Sequence, residues 1–383
     1  MGKVWGVGLI GAGDYSGTYL ALAPLFRNFE IRAIANRTPQ KAEERAREYG
    51  IRAQTVDALF ANDEIDIVLN VTPPAGHFPV SMDALSADKH VFCEKPITVD
   101  MEQGEALRRA ADERGLTVGV APDTFLGGPH QQARALIDAG RFGKIISGTG
   151  VFNTRGHEGW HPSPDFFFQP GGGPVLDIGP YHLSDLVNLL GPVKRVTAFG
   201  SIGRAERLIT APGPHQGETI TVRTPTTVHG LLEFVSGTIF NLSLSWDVAG
   251  VRRMPAIELH GSDATLIDSS PSEFGGQLNA VGIDGKPLDL GPWDHPLGKI
   301  NFKDRAGAPV ANYRGVGLAD MINAIETGRA PRCSLDFGLH ILDIMTSLLR
   351  SAEMRETVDL ATTCDRPLPL SNEQALALFR ATV

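Results

Sequence analysis

Residues 3–17, "KVWGVGLIGAGDYSG", join a continuous apolar run directly to a turn that contains three glycines. An apolar run of this length that ends at glycine is typical of a strand buried on both faces of a sheet. Gly11 allows the chain to bend tightly, and Gly13 lets the backbone approach a pyrophosphate, which the amides of the next helix would face. Ser16 takes the third small position of this fingerprint, so the stretch predicts a dinucleotide-binding turn.

The pattern that follows alternates between strand and helix up to residue 121. Strands are predicted over 30–35, 66–71, 90–94 and 116–121, and helices over 18–28, 39–50, 80–89 and 101–115. Strands separated by helices form a parallel sheet that is covered on both faces. We therefore expect an α/β fold that begins with a doubly wound Rossmann domain over residues 1–123, which would bind NAD or NADP.

The end of the second strand, "ANRT" at residues 35–38, bears on the choice of dinucleotide. An acidic residue here would bind the ribose 2′-hydroxyl of NAD and repel the 2′-phosphate of NADP. Asn36 is neutral instead, and Arg37 is a natural partner for a phosphate. We expect NADP or NAD, with a preference for NADP. The alternative is that Arg37 is a solvated residue near the start of a helix.

Two further strings follow the third and fourth predicted strands. In "TPPAGH", residues 72–77, two prolines are expected to keep the chain extended beside the nicotinamide instead of letting it enter a helix at once. In "EKPIT", residues 94–98, a lysine stands between an acid and a proline at the end of a buried strand. The predicted cofactor contacts are Gly11, Gly13, Asp14, Tyr15, Ser16, Asn36, Arg37, Thr72, Pro73, Pro74, His77, Glu94 and Lys95.

The remainder, residues 124–383, is predicted to be a second, α+β domain that binds substrate and forms oligomers. "TTVHGLLEF" and "TIFNLSLSW", residues 226–234 and 238–246, alternate apolar and polar positions and predict antiparallel strands. Residues 255–267 predict another hairpin. Residues 206–220 and 269–298 lack a clear period and are expected to be loops. Helices are expected over 129–144, 317–328 and 338–354.

Taken together, "GLIGAGDYSGTYL", "TPPAGH", "ADKHVFCEKPIT", "GGGPVLDIGPYHLSDLVNLLG" and "GLADMINAIETGR" resemble the Gfo/Idh/MocA family of glucose–fructose oxidoreductase and inositol dehydrogenase type. Their order and spacing fit this family over most of the chain. The resemblance implies a Rossmann domain followed by a domain with a large, mostly antiparallel open sheet. It also implies NAD(P)-dependent oxidation or reduction of a sugar, a polyol or a related alcohol.

The resemblance also gives "EKPIT" a role, because the family's lysine in this string lies beside the nicotinamide and the reacting oxygen. Lys95 matches that lysine, and its ammonium would stabilise the negative charge that develops on the substrate oxygen. Glu94 would hold Lys95 in place and keep it protonated.

In the string after the triple glycine, the resemblance implies that Asp177 and the residue four positions later face the substrate. That later residue is Tyr181, a tyrosine as in two branches of the family, whereas histidine is usual there. His182 comes one place late, and one step along a helix turns a side chain by about 100°. We favour Tyr181 as the proton-transfer group, with His182 as the alternative, and expect Asp177 to bind a substrate hydroxyl or orient its neighbour.

Residues 155–173, "RGHEGWHPSPDFFFQPGGG", are dense in aromatic and polar side chains and are expected to line the pocket. Trp160 and Phe168 suit the apolar face of a sugar ring, and His157, His161 and Asp165 suit its hydroxyls. The i,i+4 spacing of His157 and His161 could suggest a metal site. The surrounding glycine and proline argue against a helix there, and we expect no metal.

Length and composition limit the number of domains, the possible partners and the cellular compartment. A chain of 383 residues is long enough for two domains, and its net charge of -9 argues against nucleic acid or an anionic membrane as partner. Three scattered cysteines suit a reducing cytoplasm.

The sequence thus predicts a cytoplasmic oxidoreductase that transfers hydride between a nicotinamide and a sugar-like alcohol or carbonyl, as a homo-oligomer (dimer or tetramer). One alternative is an enzyme that keeps NAD tightly bound and uses transient oxidation to cleave a glycoside. The other is a cofactor-binding sensor without catalysis.

Overall fold

The computed structural model describes residues 3–250, 254–268 and 270–380. These residues form two compact units. The first unit runs up to Gly128 and also includes Asp294–Leu342 and the described residues from Pro367 onward. The second unit comprises Pro129–Trp293 and Asp343–Arg366. Two C-terminal segments that the sequence analysis assigned to the second domain therefore belong with the first unit.

The N-terminal part of the first unit alternates strands and helices. Its elements are β1 (Trp5–Ile10), α1 (Asp14–Leu22), β2 (Phe29–Ala35), α2 (Pro39–Tyr49), β3 (Arg52–Gln54), α3 (Val56–Phe60), β4 (Ile67–Asn70), α4 (Pro74–Ser86), β5 (His90–Cys93), α5 (Met101–Arg114) and β6 (Val118–Val120).

The central part of the chain is richer in strands. Its elements are α6 (Gly128–Asp138), β7 (Ile145–Asn153), α7 (Pro174–Asp177), α8 (Gly179–Leu190), β8 (Val193–Ser201), β9 (Glu206–Leu208), β10 (Thr219–Thr221), β11 (Thr227–Phe234), β12 (Ile239–Ser245), β13 (Ile257–Gly261), β14 (Ala264–Asp268) and β15 (Asn279–Gly282). The C-terminal part contributes β16 (Phe302–Lys303), β17 (Pro309–Val310), α9 (Val316–Thr327), α10 (Leu335–Met354), β18 (Val358–Asp359) and α11 (Asn372–Leu376).

The sheet of the first unit has the order β3-β2-β1-β4-β5-β6, with every neighbouring pair parallel. This is the order of a Rossmann fold, in which strand order reverses between β1 and β4 and ligands bind outside the carboxyl ends of the strands. The predicted fold class is confirmed. The reversal places Gly11 and Val71, which follow β1 and β4, at the binding edge.

A small-residue contact explains why the C-terminal α9 belongs to the first unit. Gly119 on β6 lies against the sulfur of Met321 on α9 and the ring of Phe92 on β5, closely enough that a Cβ at this glycine would clash with both. Asp123 accepts hydrogen bonds from the backbone N–H groups of Gly315 and Gly317 at the start of α9. The contact of Gly119 with Met321 and the hydrogen bond of Asp123 to Gly315 each join residues about 200 positions apart. Local sequence patterns do not predict contacts over such distances.

The sheet of the second unit has eight strands in the order β15-β14-β13-β7-β12-β11-β8-β18. All neighbouring pairs are antiparallel except β12 and β7. The predicted alternation is confirmed on β11 and the first half of β12, where Val228, Leu232, Phe234, Phe240 and Leu242 are buried. From Leu242 onward both faces of β12 are buried, since Ser243 and Ser245 are buried as well. The predicted hairpin over 255–267 is confirmed as β13 and β14.

Three local expectations are wrong. The helix α4 begins at Pro74, directly after Pro73, because the first helical position needs no N–H donor and suits the fixed φ of proline. Residues 206–220 contain the antiparallel pair β9 and β10, and residues 269–298 contain β15. In β9 the charged Arg207 is buried and the apolar Leu208 is exposed. The apolar–polar alternation that usually identifies a strand in the sequence is therefore missing here.

Among the described residues, no helix is both long and apolar enough to cross a membrane.

Candidate active site

The glycine turn after β1 has the geometry that a dinucleotide requires. Gly11 has a φ of 114°, and a Cβ there would lie 2.7 Å from the carbonyl oxygen of Val71, so the position requires glycine. Gly13 precedes α1, and a Cβ there would meet no atom within 4 Å. The turn therefore packs tightly against β4 on one side and leaves open space on the other, which fits a pyrophosphate at the helix start.

Two polar side chains brace this turn. The hydroxyl of Ser16 donates to the carbonyl oxygen of Gly13 at 2.5 Å, and Ser16 is completely buried. Asn36 accepts from the backbone N–H of Ala12 at 3.1 Å and donates to the carbonyl oxygen of Thr38 at 3.1 Å. Arg37 is exposed, and the structure gives it no ion-pair partner among the described residues.

The turn after β4 is tied to the turn after β5 through His77. Its Nδ1 lies 2.6 Å from the carbonyl oxygen of Pro96, and its Nε2 lies 2.7 Å from that of Thr72. Burial lowers the pKa of His77 below its ordinary value, although both carbonyls oppose that shift. The structure thus places His77 as an internal link, while Pro73 and Pro74 form the start of α4 above it.

Glu94 is buried beneath Lys95 and holds the backbone of that residue. Its Oε1 accepts from the Tyr19 hydroxyl at 2.9 Å, and its Oε2 accepts from the backbone N–H of Lys95 at 3.1 Å. Arg314 lies 3.9 Å from the same carboxylate. Burial, reinforced by the Glu94 charge, raises the pKa of Tyr19 well above its ordinary value. This network fixes the strand end from which the half-buried Lys95 side chain extends.

Two arginines near the glycine turn were missed in the sequence, because they come from the C-terminal return of the chain. Arg305 donates to Asp14 at 2.8 Å, at the first position of α1. The guanidinium of Arg314 lies 5.0 Å from the ring centre of Tyr15. No local signal could have identified them, since 291 positions separate Arg305 from Asp14.

In the second unit, the triple glycine leads into the short helix α7, which ends at Asp177. Gly173 has a φ of 88°, and a Cβ there would lie 3.0 Å from the carbonyl oxygen of Pro225. This tight turn directs α7 so that Asp177 Oδ2 lies 3.2 Å from Nε2 of His157. The sequence placed both residues in the pocket but did not pair them.

His157 lies in an aromatic cluster. Its ring centre is 4.0 Å from that of Phe167, 4.4 Å from that of Trp246 and 5.2 Å from that of Trp160. Trp160 keeps 53% of its surface exposed, as a binding platform requires. Phe168, in contrast, is completely buried against Trp246, so the expectation that it faces a sugar ring is wrong.

A buried arginine, also missed in the sequence, anchors the loop that carries His157. The guanidinium of Arg207 donates to Glu158 Oε1 at 2.6 Å and to Asp247. It also donates to the carbonyl oxygens of Arg155 at 2.9 Å and Trp246 at 3.1 Å. Four acceptors therefore fix this side chain, which has no exposed surface.

Tyr181 and His182 both lie on α8, whose residues from Gly179 to Leu189 are all buried. The His182 ring packs edge-on against Phe152 and is buried. Burial lowers the pKa of His182 to about 4. This side chain is thus a neutral core histidine in the described structure.

A second histidine, His130, lies between two buried carboxylates. Its Nδ1 is 3.0 Å from Asp185 Oδ2 and 3.1 Å from Asp268 Oδ2, and its Nε2 donates to the carbonyl oxygen of Glu273 at 2.8 Å. Burial opposes the charge, but the two carboxylates outweigh it and raise the pKa of His130 well above its ordinary value. Burial also raises the pKa of Asp185. The ligand atoms of His130, Asp185 and Asp268 all lie within 4.8 Å of one another, which is the spacing of a metal site.

Together, the parallel sheet and the open glycine turn at its switch point are those of a dinucleotide-binding domain. Residues 5–121 match the family model described as oxidoreductase family, NAD-binding Rossmann fold, and residues 130–267 match the GFO/IDH/MocA C-terminal domain. The chain belongs to the Gfo/Idh/MocA family of oxidoreductases, which confirms the predicted resemblance.

Several relatives are similar to the chain. Levoglucosan dehydrogenase of Pseudarthrobacter phenanthrenivorans is 24% identical, over 92% of this chain and 97% of the relative. The scyllo-inositol 2-dehydrogenase (NADP(+)) of Bacillus subtilis is 25% identical, over 92% and 95%. Two uncharacterised oxidoreductases of Schizosaccharomyces pombe are 30% identical, but the chain spans about half of their length, 49% of each.

Solved structures share the fold. Levoglucosan dehydrogenase in its apo form has a TM-score of 0.79 at 21% identity, covering 95% of this chain and 100% of that one. An NAD-binding oxidoreductase from Klebsiella pneumoniae has a TM-score of 0.77 at 20% identity, covering 94% and 99%.

Proposed function

We propose that this chain is an NAD(P)-dependent dehydrogenase or reductase that acts on a CH–OH group, or the matching carbonyl, of a sugar, a polyol or a related alcohol. One observation carries the proposal. The glycine turn directly follows β1, Thr72 closely follows β4, and Lys95 closely follows β5. These three strands are neighbours in a parallel sheet. Ligands of such sheets bind outside these strand ends. The relatives named for levoglucosan and scyllo-inositol support a polyhydroxylated substrate.

Lys95 has the central chemical role in this proposal. When bound, the nicotinamide accepts hydride from the substrate carbon or donates it. The Lys95 ammonium stabilises the negative charge that develops on the substrate oxygen, an effect that grows where water is excluded. Glu94 supports this role by fixing the Lys95 backbone.

In the second unit, Asp177 accepts a hydrogen bond from a substrate hydroxyl and Tyr181 moves the proton. His182 is the weaker candidate for the proton step, because burial lowers its pKa to about 4 and makes it a weak base. The variants Tyr181→Phe and His182→Phe separate the two. We expect the first to lower kcat by about 10²-fold or more and the second to leave the chemical step unchanged.

For the cofactor, we propose a preference for NADP(H). Asn36 is neutral and already braces the glycine turn, while the exposed Arg37 is available for a 2′-phosphate. Titration with NADPH and NADH should show that Arg37→Ala weakens only NADPH binding. Arg47→Ala, which removes an exposed arginine from the last turn of α2, is the matched control. An equal loss for both dinucleotides would reject the preference.

The function is tested by screening monosaccharides, polyols and glycosides for a change in nicotinamide absorbance. We expect turnover with a neutral polyhydroxylated compound and its loss in Lys95→Ala. Free sugar released from a glycoside without net nicotinamide reduction would identify the glycoside-cleaving alternative instead. Dinucleotide binding without turnover of any alcohol would indicate the sensor.

We further propose a cytoplasmic homo-oligomer, a dimer or a tetramer, formed through the open face of the eight-stranded sheet. Phe199, Leu231 and Ile239 lie on three adjacent strands of that sheet and are 70%, 48% and 43% exposed. Light scattering should show that Leu231→Lys dissociates the oligomer. Val235→Lys, in the turn after β11, should not. The cytoplasmic location rests on the three scattered cysteines of the sequence.

A further inference from the structure

Three side chains of the second unit form a buried group that we call the His130 cluster: His130 near the start of α6, Asp185 on α8 and Asp268 at the end of β14. Nδ1 of His130 lies 3.0 Å from Asp185 Oδ2 and 3.1 Å from Asp268 Oδ2, and none of the three side chains has exposed surface. In the sequence, 55 and 138 positions separate His130 from the two aspartates. The dinucleotide turn and the proposed proton transfer do not involve these residues.

The second nitrogen of His130 fixes how the ring is used. Nε2 lies 2.8 Å from the carbonyl oxygen of Glu273, and a carbonyl oxygen can only accept, so Nε2 carries a proton. Nδ1 is therefore the ring atom that faces the carboxylates. A histidine that donates from one nitrogen to a backbone carbonyl and presents the other to carboxylates has the arrangement of a metal ligand with its supporting hydrogen bond.

The distances within the His130 cluster fit a single ion. Two donor atoms that each lie about 2.1 Å from one metal ion are roughly 3.0–3.4 Å apart at the angles of octahedral or tetrahedral coordination. The separations of Nδ1 from the two carboxylate oxygens are 3.0 and 3.1 Å. All three donor atoms lie within 4.8 Å of one another. An ion would thus enter with only small shifts of the side chains.

Hydrogen bonds have the same length, so charge and the number of donors decide between a proton and an ion. A proton on Nδ1 supplies a single donor for two carboxylates. An imidazolium and two carboxylates would also retain one excess negative charge in a site without exposed surface, which is strongly unfavourable. A divalent cation with a neutral imidazole brings the same three groups to zero net charge.

A second observation also indicates a bound ion. Oδ1 of Asp185 is buried and has no hydrogen-bond partner among the described residues. A buried polar atom of this kind indicates an ion or a water molecule that completes its bonding. With both oxygens of Asp185, the His130 cluster offers four donor atoms, which is the number that a structural zinc site uses.

We propose that His130, Asp185 and Asp268 form a structural site for a divalent transition-metal ion, with zinc binding more tightly than manganese. An imidazole nitrogen combined with carboxylate oxygens suits these ions, whereas magnesium and calcium prefer oxygen ligands alone. Complete burial of the ligands indicates a closed structural site, because a catalytic metal keeps an open position. The ion joins α6 and α8 to the end of β14. The site is separate from His157 and His161, and it does not depend on the proposed function.

The first test measures metal in the wild-type chain. Elemental analysis of the full chain, purified without a chelator, should find about one zinc or manganese ion per chain. After stripping with a chelator, zinc returned at a free concentration ~100-fold above its Kd should raise the midpoint of thermal unfolding by roughly 5–11 °C. Stoichiometric binding of added zinc supports the site even where purification has removed the metal. If the stripped chain binds neither zinc nor manganese at micromolar concentrations, a proton alone bridges the His130 cluster and the proposal is wrong.

Variants and X-ray scattering locate the ion. Asp185→Asn and Asp268→Asn keep the size of the side chain, and each should weaken zinc binding by more than the ~10- to 100-fold that loss of an outer-shell partner costs. His215→Gln, which alters an exposed histidine paired with Glu218, is the control and should leave zinc binding unchanged. Unchanged zinc affinity in either aspartate variant would overturn the proposal. If a variant fails to fold, anomalous scattering from zinc in the wild-type crystal decides. The ion should lie about 2.1 Å from Nδ1 of His130, and a position elsewhere would contradict the site.

Discussion

Replacing Arg207 by methionine is the sharpest test of how the second unit holds its candidate site. The arginine side chain has no exposed surface, and its guanidinium bonds Glu158, Asp247 and two backbone carbonyls. Methionine has a similar length but provides no donor. The variant would therefore leave two largely buried carboxylates next to each other without a counter-charge.

The expected loss follows from that geometry. Breaking a buried ion pair by removing one partner costs about 3–5 kcal/mol, because the remaining charge is stranded. Here one cation serves two carboxylates whose side chains are only 12% and 15% exposed, so we expect a value in the upper half of that range. For a unit of this size, the midpoint of thermal unfolding should fall by roughly 8–20 °C.

The assay is calorimetric unfolding of the full chain, with Arg204→Met as the matched control. Arg204 lies three residues earlier, is exposed and undergoes the same loss of charge. NADPH affinity, a property of the first unit, should stay unchanged in both variants. If Arg207→Met lowers the midpoint no more than Arg204→Met, the assignment of Arg207 as the anchor of the loop around His157 is wrong.

Three further predictions concern the turn, its arginine and the core histidine. Gly13→Ala should unfold at the wild-type midpoint, because the added Cβ meets no atom of the protein. Its dinucleotide affinity should fall by more than ~10-fold, since the methyl group enters the space left for the pyrophosphate. Wild-type affinity in a fluorescence titration would refute this. Arg305→Ala should weaken NADPH binding by about two- to fivefold at low salt, because Asp14 is no longer neutralised. Lys303→Ala, on the same hairpin, should have less effect. An equal effect of both variants would exclude a specific role of Arg305 in NADPH binding. The pKa of His182 is about 4 in the folded chain and 6.5 ordinarily, so the unfolded state gains the proton first as the pH falls. Stability should therefore decrease by about 3 kcal/mol from pH 6.5 to pH 4, and denaturant titrations should show that His182→Phe removes this decrease while His215→Phe does not.

The amino-acid sequence alone determined the fold of the N-terminal part of the first unit, up to β6, and the location of its dinucleotide turn. Both follow from local rules: an apolar run ending at Gly11 specifies a buried strand and a tight turn, and strict alternation of strand and helix specifies a parallel sheet. The alternation in β11 and the first half of β12 likewise gave a buried face of the second sheet, because successive strand side chains point to opposite faces.

Only the tertiary structure decided which charged groups act together. In the short strand β9, Arg207 is buried and Leu208 is exposed, which is the opposite of what their hydropathy predicts. Four long-range hydrogen bonds of the Arg207 guanidinium impose this arrangement. Arg305 reaches Asp14, and His157 reaches Asp177, across gaps of 291 and 20 residues. Sequence periodicity reports the face of one element, whereas a hydrogen bond between elements depends on how distant segments pack, and that information is absent from any local window of the chain.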